Sequence, residues 1–167
     1  ELGRARRDLV ARLEPRVDDA YGALAGKGNP VGLRYEPAWL VAGLQHELEA
    51  LKNDELRRGT TLVGPHRDEL EISLANMPAR THASQGEQRT MALALRIAGH
   101  HEVADVVGTS PVLLLDDVFS ELDDSRAEAL LGLLVADQTM VTTAAASPPV
   151  DGPIQHFLVR DGTITPR

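Results

Sequence analysis

Four apolar residues in a row, VLLL at 112–115, run directly into two aspartates, and no other feature of the chain constrains its fold more. A short uninterrupted apolar run is typical of an inner parallel strand that is covered on both faces. Strands and helices alternate around it over residues 60–167, and this alternation predicts an α/β layer architecture. Such folds place ligand-handling groups beyond the carboxyl ends of their strands. We therefore expect Asp116 and Asp117 to line a ligand site.

The rest of the chain divides into a helical first part, 1–58, and a second part, 59–167, in which strands and helices alternate. Apolar spacing of three and four residues predicts the helices of the first part, with a kink or restart at Pro15. We treat 1–58 and 59–167 as two domains. The expected helices are 1–28, 37–58, 86–104 and one that begins after Asp123, and the expected strands are 31–35, 61–63, 70–74, 80–83, 112–115, 139–143, 157–160 and 163–165.

Composition and charge narrow the function classes. The 167 residues carry a net charge of −8 and no cysteine, which excludes disulfides and thiolate metal sites and favours the cytoplasm. Five aromatic residues and an acidic balance make the chain alone a poor DNA binder. Arg4, Arg6 and Arg7 are interpreted as a solvated helix face. No apolar run is long enough for a membrane span. The start at Glu1, within a predicted helix, suggests a truncated or processed product.

Two adjacent carboxylates at a strand end repel each other unless a cation or a proton relieves the repulsion. A nucleotide-bound Mg²⁺ is a natural partner, because it uses few carboxylates and keeps several waters. We assign Asp116 to the metal shell through water, and Asp117 to the orientation of an attacking water. From VLLLDD alone, an equally good interpretation is that the two aspartates only begin a polar loop.

The segment SQGE precedes a predicted buried helix. Unpaired N–H groups and the positive dipole end at a helix start suit a phosphate. Gly86 permits close backbone approach, and the Ser84 hydroxyl adds a donor. Glu87 stands three residues after Ser84, however, and this spacing also makes a capping box that needs no ligand. For SQGE in isolation the capping box is the better interpretation.

Together, in this order, the motifs resemble the ABC-type ATPases of chromosome maintenance and repair, a group that includes the SMC and Rad50 proteins, and most closely the RecF family. The segments that carry the resemblance are GPHRDEL (64–70), SQGEQRTMALALRIA (84–98), LLLDDVFSELDDSR (113–126) and TMVTTA (139–144). The first resembles a segment before the signature motif, and the second resembles the signature helix. The third resembles the Walker B strand with its D-loop, and the fourth resembles the strand that follows.

This resemblance implies an α/β fold, namely part of an ABC-type ATPase head: a C-terminal lobe with parallel strands and flanking helices, preceded by a helical arm in 1–58. It also implies roles for residues outside the aspartate pair. These are the signature motif acting in trans on ATP (Ser84, Gln85, Gly86, Glu87), the D-loop at a dimer interface (Ser120, Glu121, Leu122, Asp123), the switch-loop position (Thr142, Thr143) and a phosphate, DNA or lobe contact (His66, Arg67).

For the complete protein the resemblance implies ATP and Mg²⁺ as cofactors and dimerisation on ATP. It implies binding to DNA at junctions of single and double strands, RecR and RecO as partners, and help in loading RecA at single-strand gaps. Aspartate at 117, where most ABC proteins have glutamate, and the lack of a switch histidine imply slow hydrolysis.

A phosphate loop of the form G-x-x-x-x-G-K-[ST] is absent from the 167 residues. We therefore expect the isolated chain to bind no ATP and the strand at 112–115 to expose apolar surface where neighbouring strands would lie. Two alternatives stay open. One is a non-enzymatic interaction module with an acidic surface, and the other is a metal-dependent phosphohydrolase that uses Asp116, Asp117 and a histidine.

Overall fold

Two long helices and three small sheets make up the computed structural model, which describes residues 1–26, 28–134, 136–144 and 153–167. In chain order the elements are α1 (Leu2–Ala25), β1 (Val31–Arg34), α2 (Trp39–Ala42), α3 (Leu44–Arg58), β2 (Glu71–Leu74), β3 (Met77–Pro78), α4 (Ala79–His82), α5 (Gln85–Val107), β4 (Leu113–Asp116), a 3-10 turn (Val118–Glu121), α6 (Asp124–Leu133), β5 (Thr139–Thr142), β6 (Phe157–Arg160) and β7 (Thr163–Pro166).

The core lies between α1, α5 and α6. Tyr21 and Val17 of α1 and Leu130 of α6 are the largest fully buried side chains. Ala94 and Ala98 of α5 are also fully buried, and such small side chains let helices approach closely. The same apolar cluster draws residues from both sides of position 58, so the two proposed domains share a core. The boundary itself stays a prediction.

The first sheet is antiparallel and lies against α1. Val31 of β1 is paired with Leu74 of β2, and both side chains are buried together with Leu33. The β1 backbone is also held by α1, because Asp18 accepts a hydrogen bond from the Val31 N–H at 2.7 Å and Glu14 accepts one from the Leu33 N–H at 3.1 Å. Two carboxylates of the helix thus satisfy donors of the strand beside it.

The second sheet is a parallel pair, with Leu113 of β4 opposite Thr139 of β5 and Asp116 opposite Thr142. Leu115 is buried, but Leu114 is 69% exposed and Met140 is 55% exposed. The expected burial of 112–115 on both faces is wrong, because none of the described elements packs on the face that carries Leu114 and Met140. The expected exposure of apolar surface at this strand is confirmed.

Several local predictions hold and others fail. The hairpin of β6 and β7 turns at Asp161 and Gly162, both with positive φ, as the Asp-Gly pair predicts. The segment predicted as a strand at 61–63 is a loop, and the one at 80–83 lies mostly in helix α4. Helix α1 runs without interruption through Pro15, so the predicted restart is wrong. Gly43, at φ 93, separates α2 from α3 within the single helix predicted at 37–58.

Among the described residues, no helix combines the length and apolar character that crossing a membrane requires.

Candidate functional site

The two aspartates lie where β4 ends, and Thr142 of the neighbouring strand bonds to both. The Thr142 hydroxyl donates a hydrogen bond to Asp116 Oδ1. The Thr142 hydroxyl oxygen accepts a hydrogen bond from the backbone N–H of Asp117 at 3.1 Å, and the Thr142 carbonyl oxygen accepts from the same N–H at 3.0 Å. Because parallel pairing sets Asp116 opposite Thr142, the register of the sheet brings these groups together.

Asp117 combines a tightly held backbone with an open side chain. Its φ of 51° is in the left-handed region, which is uncommon for residues other than glycine but enriched in aspartate. The Asp117 carbonyl oxygen accepts a hydrogen bond from the Ser120 hydroxyl at 2.8 Å. The residue is exposed, and no hydrogen bond or ion pair reaches its carboxylate from the described residues. An unoccupied carboxylate on a backbone held in this way is suited to orienting a water molecule.

The donor set fits a magnesium ion that arrives with a nucleotide. Asp116 is exposed, and Thr142 occupies one of its two carboxylate oxygens. Within the described ranges, no three His, Asp or Glu side chains form a group that could hold a metal by themselves. Mg²⁺ bound to phosphate needs only one or two carboxylates, because waters and phosphate oxygens complete its shell. The phosphohydrolase alternative lacks its third ligand in this part of the chain.

The SQGE segment forms the capping box expected at the start of α5. Ser84 is the N-cap, and its hydroxyl oxygen accepts a hydrogen bond from the Glu87 N–H at 3.3 Å. Glu87 Oε2 in turn accepts from the Ser84 N–H at 2.8 Å and from the Ser84 hydroxyl at 2.7 Å. This reciprocal pairing fixes the helix start. Gln85 begins the helix and is exposed.

Gly86 has no structural reason to be glycine. Its φ is not positive, and a Cβ added there would meet no atom of the described residues within 4 Å. Glycine also destabilises a helix relative to alanine. The residue is exposed on the first turn of α5, where unpaired N–H groups face outward. Open space above a glycine is what the close approach of a ligand to the backbone requires.

The D-loop residues lie between the aspartates and α6. Leu122 packs against the core, and Asp123 caps α6 by accepting hydrogen bonds from the Arg126 N–H at 2.9 Å and the Ser125 hydroxyl at 3.0 Å. These two bonds, first that of the Arg126 N–H, lower the pKa of Asp123 below its ordinary value. The side chain of Glu121 lies outside what the structure describes.

His66 and Arg67 belong to a self-bonded loop before β2. Arg67 donates hydrogen bonds to the Thr61 carbonyl oxygen at 2.9 Å and to the Thr60 hydroxyl at 2.8 Å. A ring nitrogen of His66 lies 2.6 Å from the Thr61 hydroxyl. Both residues are exposed. Their bonds hold the loop in shape, and their contact with phosphate, DNA or another lobe stays a prediction.

Asp68, which sequence reasoning missed, anchors this loop from behind. Its side chain is 4% exposed and accepts hydrogen bonds from the Tyr35 hydroxyl and from Trp39 Nε1, the latter at 2.8 Å. Arg6 lies 3.5 Å from the same carboxylate and donates to the Pro65 carbonyl oxygen, so its assignment to a solvated helix face is wrong. Burial, and then the bond to Asp68, raises the pKa of Tyr35. The sequence offers one signal for this contact, because the hydroxyl of Tyr35 and the indole N–H of Trp39 each need a hydrogen-bond partner when they are buried.

Glu102, also missed, ties the helix that begins at SQGE to α1. Its side chain is 8% exposed and accepts a hydrogen bond from Arg12 Nε at 2.6 Å, while Arg16 Nε lies 3.5 Å away. Arg16 also pairs with Asp105 at 2.5 Å. The clamp fixes the position of α5 along α1, and with it the start of α5.

The whole chain is similar to RecF proteins. It is 40% identical over 177 aligned residues to the DNA replication and repair protein RecF of Streptomyces avermitilis, covering 98% of this chain and 47% of that protein. It is 41% identical over 174 residues to the protein of the same name from Acidothermus cellulolyticus, covering 96% of this chain and 46% of the relative. The chain thus spans about half the length of the curated relatives it matches. No protein-family model matches the sequence.

Solved structures place the fold in the same group. The recombination mediator protein RecF in the RecFOR pathway, solved with ATP and as RecF-ATPrS, matches with TM-scores of 0.80 and 0.79 at 26% identity. These matches cover 98% and 97% of this chain and 46% and 45% of the solved chains. An SMC head bound to the C-winged helix domain of ScpA matches in fold, with a TM-score of 0.60 at 18% identity over 95% of this chain and 42% of its own. The predicted fold class, part of an ABC-type ATPase head, is confirmed.

Proposed function

Since the chain is a RecF-type sequence that corresponds to the C-terminal part of RecF proteins, we propose that it forms part of the ATPase head of a DNA replication and repair protein. In this proposal the complete protein binds ATP and Mg²⁺, dimerises on ATP and binds DNA at junctions of single and double strands. RecR and RecO are its partners, and it helps to load RecA at single-strand gaps. The names of the relatives and the RecFOR pathway of the solved structures support this assignment.

Within the head, Asp116 and Asp117 act on the nucleotide bound to their own subunit. Asp117 orients the attacking water, because its backbone is held by Thr142 and Ser120 while its carboxylate stays open. Asp116 joins the magnesium shell through the oxygen that Thr142 leaves unoccupied. The ion, when bound, neutralises developing phosphate charge. Positioning and electrostatics supply most of what phosphoryl transfer needs, and a rigid strand end provides the positioning.

The SQGE segment acts on the nucleotide of the other subunit. Ser84, Gln85, Gly86 and Glu87 form the first turn of α5, where the positive dipole end and the backbone N–H groups of Gln85 and Gly86 can attract phosphate. The observation that carries this assignment is Gly86, since neither its backbone conformation nor its packing against the residues that the structure describes calls for glycine. A ligand that approaches the backbone closely explains the residue.

The exposed face of the β4–β5 sheet fits a head that continues beyond this sheet. Val112, Leu114 and Met140 are all more than half exposed. A row of apolar side chains in water is unfavourable, and a covering layer would remove it. The relatives are about twice as long as the matched region, so in the proposed head further strands pack against this face.

The test uses Gly86→Ala in a RecF-type protein that contains this chain together with an upstream phosphate loop. Gly99→Ala is the matched control, because Gly99 lies on the same helix and a Cβ there also meets no atom within 4 Å. Each substitution is expected to leave stability unchanged or raised by up to about 1 kcal/mol. Only Gly86→Ala should reduce DNA-stimulated ATP turnover and ATP-dependent dimerisation.

Turnover by the longer protein but not by the chain alone would agree with the proposal. Equal turnover in both glycine variants would make the segment a plain capping box. An inactive longer protein that still binds its partners would favour the acidic interaction module instead.

A further inference from the structure

The hydroxyl of Thr142 is committed in both directions. It donates its proton to Asp116 Oδ1 and accepts a hydrogen bond from the Asp117 N–H at 3.1 Å. A hydroxyl has a single proton to donate. The acceptor here is a carboxylate, and charge-assisted hydrogen bonds are stronger than neutral ones. Thr142 therefore has no second proton with which to donate to a phosphate while the Asp116 bond is made.

We propose that Thr142 is a positioning residue that acts through Asp116 and Asp117, and that its hydroxyl does not bind the nucleotide. The inference rests on the proposed function and assigns Thr142, one of the two residues predicted at the switch-loop position, a different task from direct phosphate contact. The bond to Oδ1 fixes the rotation of the Asp116 carboxylate and leaves the second oxygen for the metal shell. The bond from the Asp117 N–H secures the left-handed backbone that turns the Asp117 carboxylate outward.

Local structure makes Thr142 suited to this role. It is the last residue of β5 and stands opposite Asp116 in the parallel register. Threonine is β-branched, so it fits a strand and has a stiff side-chain rotamer. Its carbonyl oxygen also accepts from the Asp117 N–H at 3.0 Å, so the residue holds Asp117 through both backbone and side chain.

The experiment compares Thr142→Val, which keeps the shape and removes the hydroxyl, with Thr142→Ser, which keeps the hydroxyl. Thr139→Val is the matched control, because it removes a hydroxyl from an exposed position at the other end of the same strand. In the longer protein, the Mg²⁺ concentration that gives half-maximal ATP turnover is measured. Partners that orient a metal ligand typically change metal affinity by about 10- to 100-fold, and we expect a rise of that order for Thr142→Val.

In Thr142→Ser and in Thr139→Val, the Mg²⁺ concentration for half-maximal turnover should equal that of the unmodified protein. The KM for ATP should stay constant in all three variants. A raised KM for ATP with an unchanged Mg²⁺ requirement would overturn the proposal, since that result indicates direct contact with the nucleotide. Failure of Thr142→Ser to restore the requirement would overturn it as well.

A second readout does not depend on turnover. In the chain alone, hydrogen exchange of the Asp117 amide, followed by NMR, should be faster in Thr142→Val than in Thr142→Ser or Thr139→Val. Equal exchange in the three variants would overturn the positioning role. If the unmodified longer protein has no ATP turnover, the proposed function fails, and the exchange rates still decide whether Thr142 holds Asp117.

Discussion

The sheet that lies against α1 and the sheet that carries the aspartates are built from similar apolar residues but differ in burial. Val31, Leu33 and Leu74 of the first are at most 7% exposed, whereas Val112, Leu114 and Met140 of the second are at least 52% exposed. Helix α1 covers the first sheet, and none of the described elements covers the corresponding face of the second. The elements that pack on a strand therefore decide its burial, and its own composition does not.

The residues that stabilise the fold and the residues proposed to react lie in different regions of the molecule. The buried side chains of α1, α5 and α6 supply the apolar contacts that hold the described chain together. The proposed reacting groups stand instead on the sheet with one uncovered face. Substitutions in the two regions should therefore have different effects on stability, and three predictions test this difference.

The largest effect is expected in the helical core. Leu130 of α6 is fully buried and belongs to the main apolar cluster. Leu130→Ala should lower the free energy of unfolding of this chain by about 3 kcal/mol, because burial is lost and a cavity remains. Urea denaturation followed by circular dichroism measures the change. A loss below about 1 kcal/mol would mean that the core collapses around the smaller side chain or is loosely packed.

An intermediate effect is expected at the charged clamp between α1 and α5. Glu102→Ala should lower the free energy of unfolding by about 1 to 2 kcal/mol. The loss should be smaller than for breaking a fully buried charged pair, because the side chain of Arg12 is 55% exposed and that of Arg16 is 35% exposed. A double-mutant cycle with Arg12→Ala isolates the pair. A coupling energy near zero would show that Glu102 contributes through packing and not through the ion pair.

The smallest effect is expected on the exposed sheet. Leu114 is 69% exposed, so Leu114→Ala should change the stability of this chain by less than about 0.5 kcal/mol. In a longer RecF-type protein, where the proposed head covers this face, the same change should cost about 2 kcal/mol or more. Equal costs in the two proteins would contradict that covering. A large cost in the chain alone would indicate a second copy on this face, which sedimentation would detect.

Features that depend on neighbouring residues were predictable from the sequence. The capping box of Ser84 and Glu87 and the Asp-Gly hairpin both lie within a few residues, so their spacing identifies them. The exposure of apolar surface at β4, seen at Leu114, was predicted in another way. The 167 residues contain no phosphate loop, so the strands that accompany such a loop were not expected beside β4.

Features that depend on distant pairing were not predictable. Glu102 bonds to Arg12, 90 residues away, and Asp68 accepts hydrogen bonds from Tyr35 and Trp39 of an earlier segment. No spacing rule links such residues in one sequence. The bond from Thr142 to Asp116 likewise follows from the register of β4 against β5, which the sequence pattern leaves unspecified. The strand expected at 80–83 failed for a related reason, since short segments take the structure that their surroundings favour.

The backbone of Asp117 favours some amino acids over others at this position. A φ of 51° selects for glycine, asparagine and aspartate, because longer and branched side chains are disfavoured there. The orientation of water, in the proposed function, selects for an acid. Aspartate meets both demands, whereas glutamate meets only the second. The shorter acid at 117 thus suits the geometry of the chain, and Asp117→Glu should strain the turn around it.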